Sequence, residues 1–310
     1  MGQPTLLDIA KRNGSDMLVG LIDETIKYIP EISGKTMEGT TVPNMGAART
    51  IKGQQYKTLV RTALPSVGFR DANSGVTASS STYENRLVET FILNPRWQCD
   101  KAVADTSEDG PEAFITLEAE AILTAAMQSL GAQFFYGRNS GGDAKGHPGL
   151  VDSVQSTYTV DRTGTGSSCG SVYAVKFGPQ GVQWVFGENG QLQVPDVRIE
   201  TLYDSNSKPY TGYVQDMNVY AGVQVASIYS VGRIKNVTAA APLRDSDIYS
   251  LLAKMKIVPD VLFMNRTLLE QLRSSRTATN ATGAPAPRPT DVDGIPIAAT
   301  DSLTMTETAA

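Results

Sequence analysis

The stretch 111-PEAFITLEAEAILTAAMQSLGAQFFY-136 decides how the rest of the chain is read. Gly110 and Pro111 suit an N-cap and a first helical turn, and Gly137 suits the stop. Glu108, Asp109, Glu112 and Glu118 favour the positive end of the helix dipole. The body is rich in Ala, Leu and Glu, all strong helix formers, so local preference and pattern agree. The expected helix is about 39 Å long, as long as a small domain is wide. Phe114, Ile115, Leu117, Ile122 and Leu130 give it a broad apolar face, while Ala119, Ala121, Ala125 and Ala126 would let another backbone approach closely.

Around this helix lies a composition that buries a substantial core: 310 residues, 41% hydrophobic and 19% charged. No apolar run is long enough to span a bilayer, and MGQPTLLDIAKRNG lacks the apolar centre of a signal peptide, so the expectation is a chain made and used in the cytoplasm without membrane contact. Lys and Arg number 27 against 32 Asp and Glu, a formal charge of -5, which leaves no global basic field for gripping nucleic acid. Residues 1 to 57 hold seven basic and six acidic side chains, so no basic arm is hidden there either. Cys99 and Cys169 form no CxxC motif and no disulfide framework.

Upstream of the spine, Thr5 to Asn13 and Asp16 to Tyr28 read as two short helices, the second with Met17, Leu21, Ile22 and Ile26 on one side. Residues 33 to 50 hold few large apolar groups and read as an arm or linker. Then QYKTLVRTALPSVGFR and STYENRLVETFIL alternate as strands about a polar tip, DANSGVTASSS, which makes an extended hairpin with charge on both faces. A two-stranded ribbon is marginal by itself and needs a partner surface. If that surface is another subunit, Arg61, Arg70, Glu84, Arg86 and Glu89 are the candidates for ion pairs across it. A solvated surface hairpin is the alternative, and its exposed pairs would contribute little.

Downstream, GRNSGGDAKGHPGL is a Gly-rich turn and residues 151 to 237 are strand-rich, with Glu188-Asn189-Gly190 as a tight-turn signal. Arg244 to Lys256 reads as a helix, DVLFM as a short buried strand, Arg266 to Ser275 as a helix, residues 276 to 292 as a loop and GIPIAATDSL as a last strand and turn. Catalytic groupings are sparse. The single histidine, His147, excludes an HExxH zinc site and leaves only a lone general base. RTGTGSSCGS lacks the GK[ST] ending of a phosphate-binding loop, and the carboxylate pairs Glu118/Glu120 and Asp291/Asp293 show no apolar surroundings. No cofactor, no metal and no enzymatic activity are expected.

The order of arm, charged hairpin, spine helix, Gly-rich turn and mixed α/β region resembles major capsid proteins of tailed double-stranded DNA bacteriophages with the Hong Kong 97 (Johnson) fold, epsilon15-like ones in particular. The carrying segments are YKTLVRTALP, STYENRLVETFIL, DKAVAD, the spine with GHPGL after it, VASIYSVGRIKN, VPDVLFMNRTLLEQL and GIPIAATDSL, and the specificity lies in their sequence along the chain. The resemblance implies an α+β capsid fold with an N-terminal arm over 1–49, an extended loop over 50–97 and a peripheral domain over 98–149. Residues 150–310 would be mainly the axial domain, with peripheral-domain strands returning. It implies self-assembly into pentamers and hexamers of an icosahedral phage head in the virion, assembled in the host cytoplasm. Portal and decoration proteins would be partners, and the shell would enclose DNA without sequence-specific binding. Because the sequence starts almost at the arm, a separate scaffolding protein is expected, and no covalent crosslinks between subunits. An encapsulin-like cellular compartment is the alternative of similar fold. A monomeric β-rich binding or hydrolytic protein, with Ser168 or Cys169 as nucleophile, is the alternative of a different class.

Overall fold

In the computed structural model, which describes residues 3–13, 23–190, 192–278 and 285–309, the helix Pro111–Tyr136 runs unbroken for 26 residues. Backbone chemistry sets both ends. Gly110 precedes Pro111 at φ +86°, and the N–H that proline lacks would have had no partner in a first turn. Gly137 closes the helix at φ +55°, where an added Cβ would lie 2.1 Å from the Gly149 nitrogen. Only glycine fits there.

The helix is fully buried only toward its ends. Phe114 joins Ile9, Trp97, Cys99 and Ala104 in one small core. At the other end Phe134, Phe135 and Tyr136 enter a larger aromatic core with Tyr173, Phe177, Trp184 and Phe263. Phe134 stacks on Trp184 with ring centroids 5.0 Å apart, and Phe135 meets Phe263 edge-on at 5.4 Å. Each ring so buried contributes about 2–3 kcal/mol. No residue from 115 to 130 is fully buried, and Leu117 and Met127 are exposed. The spine is therefore a strut between two cores.

The larger core is built on a six-stranded sheet in the order Asp291–Val292, Ile295–Ala299, Val261–Met264, Gly170–Val175, Val231–Val237, Thr159–Asp161. Its middle strands Gly170–Val175 and Val261–Met264 are buried at every position. Both faces are covered. Helices Asp245–Lys254 and Arg266–Ala278 supply Ile248, Leu251, Leu268 and Leu272 to one face, and the aromatic end of the spine covers the other. A four-stranded sheet runs Ala48–Thr50, Val182–Phe186, Val219–Val225, Phe91–Leu93, and a three-stranded one runs Arg96–Asp100, Pro209–Asp216, Arg198–Tyr203. The turn at Glu188-Asn189-Gly190 holds all three residues at positive φ, which suits Asn189 and Gly190 but is uncommon for Glu188.

Three expectations need correcting. Residues 33–50 are not a free arm: they begin at the end of the short helix Pro30–Ser33, Val42 and Met45 are buried against the Trp184 core, and Ala48–Thr50 adds a parallel strand to Val182–Phe186. Small and polar residues did not prevent docking, because a few apolar anchors and a strand edge suffice. The helix expected over Asp16 to Tyr28 falls mostly on residues 14–22, outside the described residues, and its remainder, residues 23–28, is not helical. The second hairpin strand ends at Glu89; Phe91–Leu93 turns away and pairs with Val219–Ala221. A smaller difference is that the helix beginning at Arg266 continues to Ala278.

Candidate assembly surface

Gln55–Ala63 and Thr82–Glu89 pair antiparallel, from Gln55 opposite Glu89 at the base to Ala63 opposite Thr82, with a register shift after Arg61. Pro65, which has no N–H to donate, follows the last pair, and residues 64–81 carry no regular structure. At the base, alternate residues are half-buried: Tyr56, Thr58 and Val60 face the same side as Arg86 and the buried Val88. Beyond Val60 almost every residue is exposed.

The base is bolted to the four-stranded sheet by a polar cluster. Tyr56 donates its hydroxyl to Gln224 Oε1, Gln183 Nε2 donates to the same oxygen at 2.7 Å, and Gln224 Nε2 donates to the Pro179 carbonyl at 3.0 Å. Gln183 and Gln224 are direct cross-strand partners. Arg49 lies over the Tyr56 ring, 4.4 Å from its centroid. Gly222 allows the crossing, because a Cβ there would sit 2.4 Å from the Glu89 carbonyl oxygen. Sequence reading missed this cluster. The glutamines come from strands far from the hairpin, and only the glycine inside a strand was a signal.

The five candidate residues do not form one group. Glu84 and Arg86 share the inward face, opposite Val60 and Thr58, and Arg86 Nη1 donates to the Ala226 carbonyl at 3.3 Å. Arg61 is on the other face, over the Tyr83 ring at 5.5 Å, and donates to the Tyr83 hydroxyl at 3.3 Å. Glu89 is at the base, and Arg70 in the tip donates to the Ser74 carbonyl at 3.0 Å. None of the five makes an ion pair among the described residues. The tip adds what the charges did not reveal. Leu64, Val67, Phe69 and Val76 are exposed, Val67 at 92% and Phe69 completely. These four apolar side chains lie within 13 residues of one another on the loop between the two strands. A groove of about 330 Å³ beside the spine is apolar too, lined by Leu123, Met127, Leu130, Trp184, Phe186 and Leu192 among others.

His147 is buried, its Nδ1 lies 2.9 Å from the Pro148 carbonyl oxygen and its ring stands edge-on to Trp184. Burial holds its pKa below the ordinary imidazole value, so it is neutral at pH 7. The Cys169 thiol is buried and burial pushes its pKa up, the opposite of what a thiolate nucleophile needs, while Ser168 is exposed. No cluster of His, Cys, Asp or Glu fit for a metal occurs among the described residues. No helix among them is long and apolar enough to cross a membrane.

A family model described as major capsid protein GP7 matches residues 27–310. Among solved structures, the chain is similar to that of bacteriophage Epsilon15 at 19% identity and a TM-score of 0.71, covering 100% of this chain and 98% of the other. That likeness shows the fold, the Hong Kong 97-like capsid fold. The capsid of Myoviridae phage XM1 matches at 11% identity and a TM-score of 0.48, covering 73% of this chain and 98% of the other. The SrpI encapsulin of Synechococcus elongatus PCC 7942 matches at 10% and 0.42, covering 72% and 95%. Both overlaps are too loose to bear on function. No curated protein matches the sequence.

Proposed function

We propose that this chain, which belongs to the major capsid protein GP7 family, closes an icosahedral phage head from pentamers and hexamers by laying its hairpin on neighbouring copies. As a member of that family it is a structural shell protein of the virion, and it assembles with itself. The observation that carries the hairpin's role is its shape: a ribbon fixed at the base by Tyr56, Gln183 and Gln224, projecting an uncovered apolar tip. Such a ribbon is not stable by its own contacts. Laid on a neighbour, it repeats one heterologous contact around a ring, and many modest contacts multiply into a closed assembly. Arg61, Arg70, Glu84, Arg86 and Glu89 then meet charges of the next subunit.

In this reading residues 50–97 are the extended loop, 98–149 the peripheral domain and 150–310 mainly the axial domain. The shell encloses double-stranded DNA, and the acidic balance of -5 suits a container that confines DNA without gripping it. A separate scaffolding protein, a portal and decoration proteins complete the head, which assembles in the host cytoplasm. Deleting Ala72 to Ser81, or changing Phe69→Asp, is expected to abolish closed particles while leaving the circular dichroism of the subunit unchanged. Normal particles of unchanged stability from both variants would refute the hairpin's role. Packaged enzyme in place of DNA would move the assignment to a cellular compartment.

A further inference from the structure

Glu31 is completely buried, yet among the described residues no cation pairs with it. Its carboxyl joins three parts of the chain. It sits in the short helix Pro30–Ser33 of the N-terminal segment. From the C-terminal segment, Thr300 Oγ1 lies 3.0 Å from its Oε2 and Ser302 Oγ touches its Oε1. The spine makes room at Gly131, where an added Cβ would lie 2.5 Å from Ser302 Oγ and 2.7 Å from Glu31 Oε1. The surrounding bonds depend on this junction. Trp184 Nε1 donates to the Glu31 carbonyl at 3.0 Å, Tyr28 N donates to Asp301 Oδ2 at 2.8 Å, and Asp301 N donates to the Tyr28 carbonyl at 3.0 Å.

We propose that Glu31 is a proton-operated latch: as a neutral acid it locks the N-terminal segment to the C-terminal segment and the spine, and as a carboxylate it loosens that segment. Hydroxyls suit both states, since Ser302 and Thr300 donate to a carboxylate or accept from an acid. What differs is the charge. Asp301 faces Glu31 from the C-terminal segment and opposes its ionisation, although Asp301 is itself paired with Arg266 at 2.7 Å. Tyr28 faces it from its own segment, and its pKa is raised by its own burial and by Glu31. The spine presents Gly131 and the strand Val182–Phe186 presents Trp184, behind which lies the neutral His147. Burial, helped by Asp301 and opposed by the two hydroxyls, pushes Glu31 up from 4.5 to about 7.

The docked segment holds a proton that the released one gives up, so docking is strongest below pH 4.5, weakens through the window up to about 7, and levels off above it. A shift of this size changes the docking equilibrium by roughly 300-fold. The latch is a property of the single subunit and does not depend on shell assembly. Its consequence, that rising pH frees an N-terminal segment to rearrange against neighbours, does rest on the shell reading.

The test is hydrogen exchange on the full-length, unassembled protein between pH 4.5 and 8.5, with protection factors read at Tyr28 and at Ile32, Ser33 and Gly34. Wild type is expected to lose roughly 300-fold protection there, levelling off above about pH 7, while Glu31→Gln, a permanently neutral isostere, stays flat. A second variant guards against misfolding. Ser302→Ala removes a donor that favours the carboxylate, so the levelling point is expected at higher pH. Constant protection in wild type, or the same pH dependence in Glu31→Gln, would overturn the latch. Particles that form normally while the latch fails, or a working latch in a chain that never assembles, separate the two proposals.

Discussion

Gly131 makes an inexpensive probe of the latch because two effects on it have opposite signs. In a helix interior, replacing glycine by alanine ordinarily stabilises by about 1 kcal/mol. Here the added methyl runs into Ser302, Glu31 and Ile29, so Gly131→Ala is expected to destabilise by about 1–3 kcal/mol in a denaturant titration. A stabilised variant would mean that the junction is loose. His147 supplies the contrary pH signature. Its pKa lies below the unfolded value of about 6.5, so its contribution is present above that pH and lost as pH falls through the folded pKa. Wild type is therefore expected to lose stability relative to His147→Gln on going from pH 7 to pH 5, whereas Glu31 acts in the other direction over the same range. Neither role was legible in the sequence. In the sequence Glu31 is only one of six acidic side chains among residues 1–57, and its burial comes from Thr300, Ser302 and Trp184, all more than 150 positions away.

At the scale of elements, the spine and the hairpin divide stability from contact. Phe134→Ala, at the aromatic end of the spine, is expected to cost about 3–5 kcal/mol. Leu117→Ala, on its uncovered middle, is expected to stay within about 0.5 kcal/mol in the free subunit, and thermal denaturation distinguishes the two. Tyr56→Phe is expected to speed amide exchange at the hairpin base by about fivefold with global stability unchanged, as loss of one hydrogen bond worth about 1 kcal/mol would do. The spine was legible because Gly110, Pro111 and Gly137 mark its ends in local chemistry. The hairpin was legible as alternation, but its end was not. FIL continues the β pattern past Glu89, and only the pairing with Val219–Ala221 shows that it belongs to another sheet. The alanines that promised a close backbone approach remain mostly uncovered, with Ala121 and Ala125 exposed, and the close approach occurs at Gly131.

Across the whole molecule, the segment around Glu31, the segment 300–302 and the spine at Gly131 meet at one junction. Stability is concentrated in the six-stranded sheet and its two coverings, while the hairpin tip and the groove beside the spine leave apolar surface uncovered. The order of these elements along the chain was what the sequence disclosed about function, since a shell subunit has no catalytic signature to find. Hairpin contacts carrying charged residues on both faces are expected to weaken with ionic strength, so assembly yield should fall between 0.1 and 1 M salt, where the screening length drops from about 10 to about 3 Å. The most direct measurement is cryo-electron microscopy of particles formed by the full-length protein, alone and with a candidate scaffold. The expected result is closed shells of five- and six-membered rings in which each hairpin lies on a neighbouring subunit. Persistent monomers in both conditions, or shells whose hairpins fold back on their own subunits, would contradict it.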